Sequence, residues 1–282
     1  MSAGQPIPQP YSSHRFDPLG LTSAVGRRET VRVGRWRIHY QVAGPSDGPP
    51  VVLVHGLAAS WTWWADTVPA LAARYRVYAV DLPGFGHTSP RRPFAINTAV
   101  EMLARWAGAL RLPPATFVGH SMGGHICIHL AAQHPALVRR LVLVNATGLP
   151  LNSRLPLLVI NALRSGSLEP PGFFWRVVIS SLRAGPLVLA SAARALLRDD
   201  ASGALSRIHV PTLVVWGDRD RLVPLPLGIA LAQAIADARL EVIPGAGHKT
   251  MMERSDQFNA ALLRFLAEAG QPKPHVAPLA DV

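Results

Sequence analysis

Short, almost uninterrupted apolar runs recur through the middle of this chain, and they constrain its fold more than any other feature. Val51–Val54, Val77–Val80, Ala115–Val118, Leu141–Val144 and Thr212–Trp216 are each the length of a strand. Runs of that kind suit strands buried on both faces. Leu240–Ile243 repeats the pattern, interrupted by Glu241. Helical periodicity fills the gaps. Ile96, Ala99, Val100, Leu103, Ala107 and Leu110 recur at helical spacing, as do Phe258, Leu262, Phe265 and Leu266. Strands alternating with helices predict a parallel sheet covered on both sides. Ahead of this unit, Thr30–Val33 and Arg37–Val42 read as two strands turning near Gly34.

The stretch 150–208 breaks the alternation. It contains no convincing strand, and Pro170–Pro171 and Gly185–Pro186 divide it into three apolar-rich pieces. It is too long for an ordinary loop and reads as a helical insertion over one end of the sheet. The expected organisation is an N-terminal extension (1–28), a core (29–149 and 209–270), the insertion (150–208) and a C-terminal tail (271–282). No internal repeat is present.

Composition narrows the class. Apolar residues make up 49% and charged residues 16%, with mean hydropathy +0.20, which excludes a disordered chain. Cys127 is the single cysteine, so neither an internal disulfide nor a cysteine-built zinc site can form. The first residues lack the apolar core of a signal peptide, and no run approaches a membrane span, so a cytoplasmic location is expected. The net charge is +11, and every basic residue except Lys249 and Lys273 is arginine. Arg27, Arg28, Arg32, Arg35 and Arg37 form the densest cluster, and this leaves weak contact with an anionic membrane surface open. No basic helix or basic–aromatic alternation points to nucleic acid.

The chemistry begins at Gly119-His120-Ser121-Met122-Gly123-Gly124. This segment follows one apolar run directly and opens a helical pattern at Ile126–Ala132. A serine on so tight a strand-to-helix turn stands above the sheet as a nucleophile, and small residues flank it because larger ones do not fit. Such a serine needs a base. His248, in Pro244-Gly-Ala-Gly-His248 after the last strand, is the candidate. The base needs an orienting acid. Asp218 and Asp220 both follow the Thr212–Trp216 run, whereas the equivalent position one strand earlier carries Asn145. The N–H groups of Met122 and of Leu57, in His55-Gly56-Leu57-Ala58, are placed to hold an oxyanion. His55 reads as an organiser of that loop. His125 and His129 stand one helical turn apart, but no neighbouring carboxylate completes a metal set, so no metal is expected. His120, Trp61, Phe173, Phe174 and Trp175 are candidates for substrate contact, with Leu155, Leu157, Leu158, Val159 and Val178 as further apolar candidates; first-helix packing is an equal reading for Trp61.

Five motifs in order, Val51-Val-Leu-Val-His-Gly56, Asp81-Leu-Pro-Gly-Phe-Gly-His87, Gly119-His-Ser-Met-Gly-Gly124, Val215-Trp-Gly-Asp-Arg-Asp220 and Gly245-Ala-Gly-His248, resemble the α/β-hydrolase superfamily, in its serine esterase-like branch with a helical cap. The resemblance covers about residues 30–268. It implies a mostly parallel eight-stranded sheet with helices on both faces and a helical cap inserted after strand six. It also implies an acid three residues after the strand-seven glycine, which selects Asp220. Serine at the elbow separates the chain from the similar epoxide hydrolases and haloalkane dehalogenases, which use aspartate. Similar serine members include carboxylesterases, lactonases, cofactor-free perhydrolases and hydrolases of carbon–carbon bonds. The last group typically has asparagine before the serine and tryptophan after the histidine, where this chain has His120 and Lys249. Other members bind ligands or act as accessory proteins. The expected activity is hydrolysis of small, apolar, medium-chain carboxylic esters, without a cofactor.

Overall fold

The computed structural model describes residues 26–150 and 173–268. Eight strands form one sheet: β1 (Arg27–Val33), β2 (Trp36–Ala43), β3 (Pro50–Val54), β4 (Arg76–Val80), β5 (Ala115–His120), β6 (Val138–Val144), β7 (Thr212–Gly217) and β8 (Ala238–Ile243). Their spatial order is β1-β2-β4-β3-β5-β6-β7-β8. The β1–β2 hairpin is antiparallel and joins β4 antiparallel; the other pairings are parallel. Gly34, with φ +55°, makes the hairpin turn. Arg27 and Arg28, counted by the sequence reading with the N-terminal extension, belong to β1.

Alternation along each strand feeds two separate cores. Val52 and Val54 of β3 face one core, together with Phe117, Leu141, Leu143, Val214 and Trp216. Val51 and Leu53 face the other, with Val77, Val118, Val142, Leu213 and Val215. The first core is closed by α2 (Ile96–Ala109), α3 (Met122–Gln133) and α7 (Leu225–Ala234). The second is closed by a 3-10 turn at Trp61–Trp64 and by α1 (Thr67–Ala72), α8 (Thr250–Glu253) and α9 (Ser255–Ala267). Burial on both faces is why the parallel strands read as continuous apolar runs. The edge strand β8 departs from this because its Glu241 reaches water and pairs with Arg264 at 2.5 Å.

Between β6 and β7 the described residues include three helices: α4 (Phe173–Ala184), α5 (Pro186–Arg198) and α6 (Ser202–Leu205). Gly185, at φ +78°, and Pro186 break α4 from α5 with a 98° bend. The Val188 side chain fills the space where Gly84 would otherwise carry a Cβ. The Phe94 N–H donates to Ser191 Oγ at 2.8 Å, and Ala201 N–H to the Gly148 carbonyl at 2.9 Å. These contacts set the insertion against the loop after β4 and against the end of β6. Among the described residues no single helix is long and apolar enough to cross a membrane.

The loop after β4 is organised by Asp81, which is fully buried. Its Oδ1 accepts from Trp61 N–H at 2.8 Å, and its Oδ2 accepts from His39 Nδ1 at 2.8 Å and His87 N–H at 2.9 Å. Burial alone would raise its pKa, but the hydrogen bonds from His39 and the His87 amide outweigh it and bring the carboxyl down to about 2. Trp61 is thereby fixed in the second core, 2% exposed.

Candidate active site

The C-terminal ends of β3, β5, β6, β7 and β8 converge on one place. Ser121 sits between β5 and α3 with φ 51° and ψ −118°, a strained conformation for a residue with a Cβ. Packing enforces the turn. A Cβ on Gly119 would lie 2.5 Å from the Gly123 carbonyl oxygen, and one on Gly123 would lie 2.3 Å from that of Val54. Only glycines let strand, turn and helix approach so closely. Ser121 N–H donates to the Val144 carbonyl at 3.0 Å, and the Ser121 carbonyl accepts from His125 N–H at 3.1 Å and Thr147 N–H at 3.2 Å.

Ser121 Oγ lies 3.1 Å from His248 Nε2. His248 Nδ1 lies 2.8 Å from Asp220 Oδ2. The same Oδ2 accepts from Asn145 Nδ2 at 2.7 Å, while Oδ1 accepts from the N–H groups of Leu222 and Val223 at 2.8 and 2.9 Å. Four N–H donors therefore converge on this carboxylate and fix its orientation toward His248. Asp218 points elsewhere: its Oδ1 accepts from Gly245 N–H at 2.7 Å and it makes no contact with His248. Of the two acids, the fold brings Asp220 to the histidine.

The surrounding polar groups hold this line in place. His120 Nε2 donates to the His248 carbonyl at 2.9 Å, and its ring packs 4.9 Å from that of His248 and 5.6 Å from that of Trp63. Burial, followed by the nearby His248, holds the His120 pKa well below the usual imidazole range, so the ring is neutral. His120 therefore positions the loop that carries His248 and is enclosed, only 1% exposed. Glu253 fastens the same loop from α8, accepting from Gly247 N–H at 2.6 Å and Lys249 N–H at 3.2 Å. His55 organises the loop after β3: Nδ1–H donates to the Gly56 carbonyl at 2.8 Å, and Nε2 accepts from Leu82 N–H at 3.0 Å. Burial lowers its pKa, which keeps this neutral form. That loop lies against the elbow, since a Cβ on Gly56 would come 3.2 Å from Ser121 Cβ. Leu57 follows, half-buried, and Met122 opens α3 in the first core.

Sequence reasoning missed Asn145. At φ 43°, it receives Thr250 Oγ1–H on Oδ1 at 2.7 Å and gives its amide to Asp220. Lacking a negative charge, it escapes a search for the acid; its place at the end of the strand beside β7 is the usable signal. The reading of His125 and His129 is corrected. Asp199, the residue after α5, does supply a carboxylate: its Oδ2 accepts from Nε2 of both histidines at 2.6 Å. The insertion folds back to bring it there, which local spacing could not reveal. Trp175 is 61% exposed on α4. Phe173 and Phe174 open that helix, but their side chains, like all of Leu155, Leu157, Leu158 and Val159, lie outside the described residues.

A hydroxyl, an imidazole and a fixed carboxylate in this line can carry out nucleophilic substitution at an acyl carbon. The model of the alpha/beta hydrolase family matches residues 51–261. The chain belongs to that family. This hydrolase is 32% identical over 245 residues to a pimeloyl-[acyl-carrier protein] methyl ester esterase of Neisseria meningitidis serogroup B, covering 78% of this chain and 93% of that one. It is 30% identical to a 2-hydroxy-6-oxo-6-phenylhexa-2,4-dienoate hydrolase of Comamonas testosteroni, covering 88% and 98%. The crystal structure of the enol-lactonase of Burkholderia xenovorans LB400 matches at a TM-score of 0.71 and 27% identity, covering 85% of this hydrolase and all of that chain.

Proposed function

We propose that this hydrolase cleaves carboxylic esters through an acyl-enzyme on Ser121. The observation that carries the reading is the continuous line from Ser121 Oγ through His248 to Asp220, at 3.1 and 2.8 Å. Ser121 Oγ attacks the ester carbonyl while His248 Nε2 takes its proton. Asp220 holds the Nδ1–H tautomer and stabilises the imidazolium. The N–H groups of Leu57 and Met122 receive the oxyanion. Collapse expels the alcohol, protonated by His248. Water then gives a proton to His248, attacks the acyl carbon and releases the acid with Ser121 restored.

The proposed substrate is apolar and of medium chain length. Its support is the apolar insertion, which carries exposed Trp175, Leu182 and Leu187 on α4 and α5. The relative named as a methyl ester esterase favours ester chemistry. Each buried methylene contributes up to about 0.8 kcal/mol, so kcat/KM on p-nitrophenyl esters is expected to rise by up to about fourfold per methylene from acetyl to hexanoyl. A flat or falling series measured by nitrophenolate release contradicts the apolar, medium-chain substrate. The dienoate hydrolase relative supports a second reading, carbon–carbon hydrolysis by the same serine; it gains if folded protein turns over no ester in the series.

A further inference from the structure

We propose that His125, His129 and Asp199 form a binding site for a divalent transition-metal ion of the zinc type, joining the helix behind the nucleophile to the exit of the insertion. The two histidines stand four residues apart on α3, and their rings stack at 5.3 Å with an interplanar angle of 29°. Both Nε2 atoms therefore face the same side. Asp199 closes that side, and one donor atom from each residue lies within 4.8 Å of the others. Two imidazole nitrogens and one carboxylate oxygen are a donor set for zinc and its first-row neighbours. Calcium and magnesium prefer oxygen alone.

The present spacing is close to that of a ligated set. Bonds of about 2.0–2.2 Å in a tetrahedron place ligand atoms roughly 3.3 Å apart, so each 2.6 Å contact has to open by less than about 1 Å. Small side-chain rotations supply that. As it stands, two N–H donors crowd onto one oxygen; an ion would replace those two hydrogen bonds with three bonds to metal. His125 Nδ1 is buried without a hydrogen-bond partner, so only the bond to Asp199 keeps the ring proton on Nε2, and an ion taking Nε2 would shift that proton to Nδ1.

The backbone frames the site independently of the carboxylate. Asp199 N–H donates to the Ala195 carbonyl at 3.0 Å, and Ala201 N–H ties the following turn to Gly148 at 2.9 Å. His125 and His129 are enclosed, whereas Asp199 is 30% exposed and leaves an open side for entry and for a water as fourth ligand. None of the three side chains bonds Ser121, His248 or Asp220, so metal occupancy can be read without reference to turnover.

The test uses untagged full-length protein, stripped with a chelator and titrated with cobalt(II), then competed with zinc. The expected result is one cobalt per chain with ligand-field absorption of a low-coordinate site, displaced by one equivalent of zinc. Zinc also raises Tm. His129→Ala and Asp199→Asn are expected to weaken affinity by more than about tenfold, since loss of even an outer-shell partner costs that much. His134→Ala, at a half-buried histidine paired with Glu101, is expected to leave binding unchanged. Asp199→Asn keeps a neutral hydrogen-bond acceptor, and circular dichroism of each variant checks that it is folded. Absence of saturable binding to the wild-type chain overturns the proposal, as does binding that survives both substitutions in folded protein.

Discussion

Replacing Ser121 with alanine is expected to lower kcat for ester hydrolysis by roughly a million-fold, the scale seen when a serine nucleophile is removed from such a line of groups. At about 1.4 kcal/mol per decade, this corresponds to about 8 kcal/mol of transition-state stabilisation. The substitution removes only Oγ, whose partner is His248 Nε2, and it leaves the loops around Leu57 and Met122 unchanged. KM should therefore stay within a few-fold of wild type. Steady-state kinetics on p-nitrophenyl hexanoate measure both quantities. A variant that kept more than a few per cent of turnover would remove Ser121 from the chemistry.

Asp220→Asn is the second large effect, with kcat expected to fall by about 10⁴-fold, as loss of an orienting carboxylate does elsewhere. The geometry gives the reason. Each carboxylate oxygen of Asp220 accepts two N–H bonds, so an amide turned either way aims its NH2 at two donors. Turned toward His248, it drives the imidazole proton to Nε2, the wrong nitrogen for accepting from serine. Turned toward Leu222 and Val223, it leaves two buried N–H groups unpaired, at about 1–3 kcal/mol each. A lowered Tm should therefore accompany the loss of rate. Asp218→Asn, at a residue that only accepts from Gly245, is expected to change kcat less than a few-fold. Equal losses in both variants would argue against the assignment of the acid.

The sheet was legible because its central strands are buried on both faces, and physics leaves little choice but Val, Leu and Ile there. The edges were harder to place. β1 starts at Arg27 and β8 carries Glu241, because an edge strand exchanges one apolar face for water. The break between α4 and α5 followed from Gly185–Pro186, whose backbone demands a turn. At the site, the elbow announced itself through Gly119 and Gly123, where no side chain fits.

Asn145 and Asp199 were not legible for a different reason. Asn145 acts by donating to a carboxylate and receiving a hydroxyl, roles that leave no spacing pattern. Asp199 meets His125 and His129 across 74 and 70 residues, so only the folded insertion brings them together. For Trp61 the sequence leaves cleft lining and packing equal, and the fold decides for packing: its N–H is held by Asp81 and its ring is sealed in the second core.

Rapid mixing of the wild-type hydrolase with p-nitrophenyl hexanoate, followed by acid quench and peptide mapping, reads the acyl-enzyme itself. A nitrophenolate burst approaching one equivalent is expected, with a hexanoyl group on the peptide carrying Ser121. Turnover with no acyl adduct, or an adduct on another residue, would contradict the acyl-enzyme on Ser121.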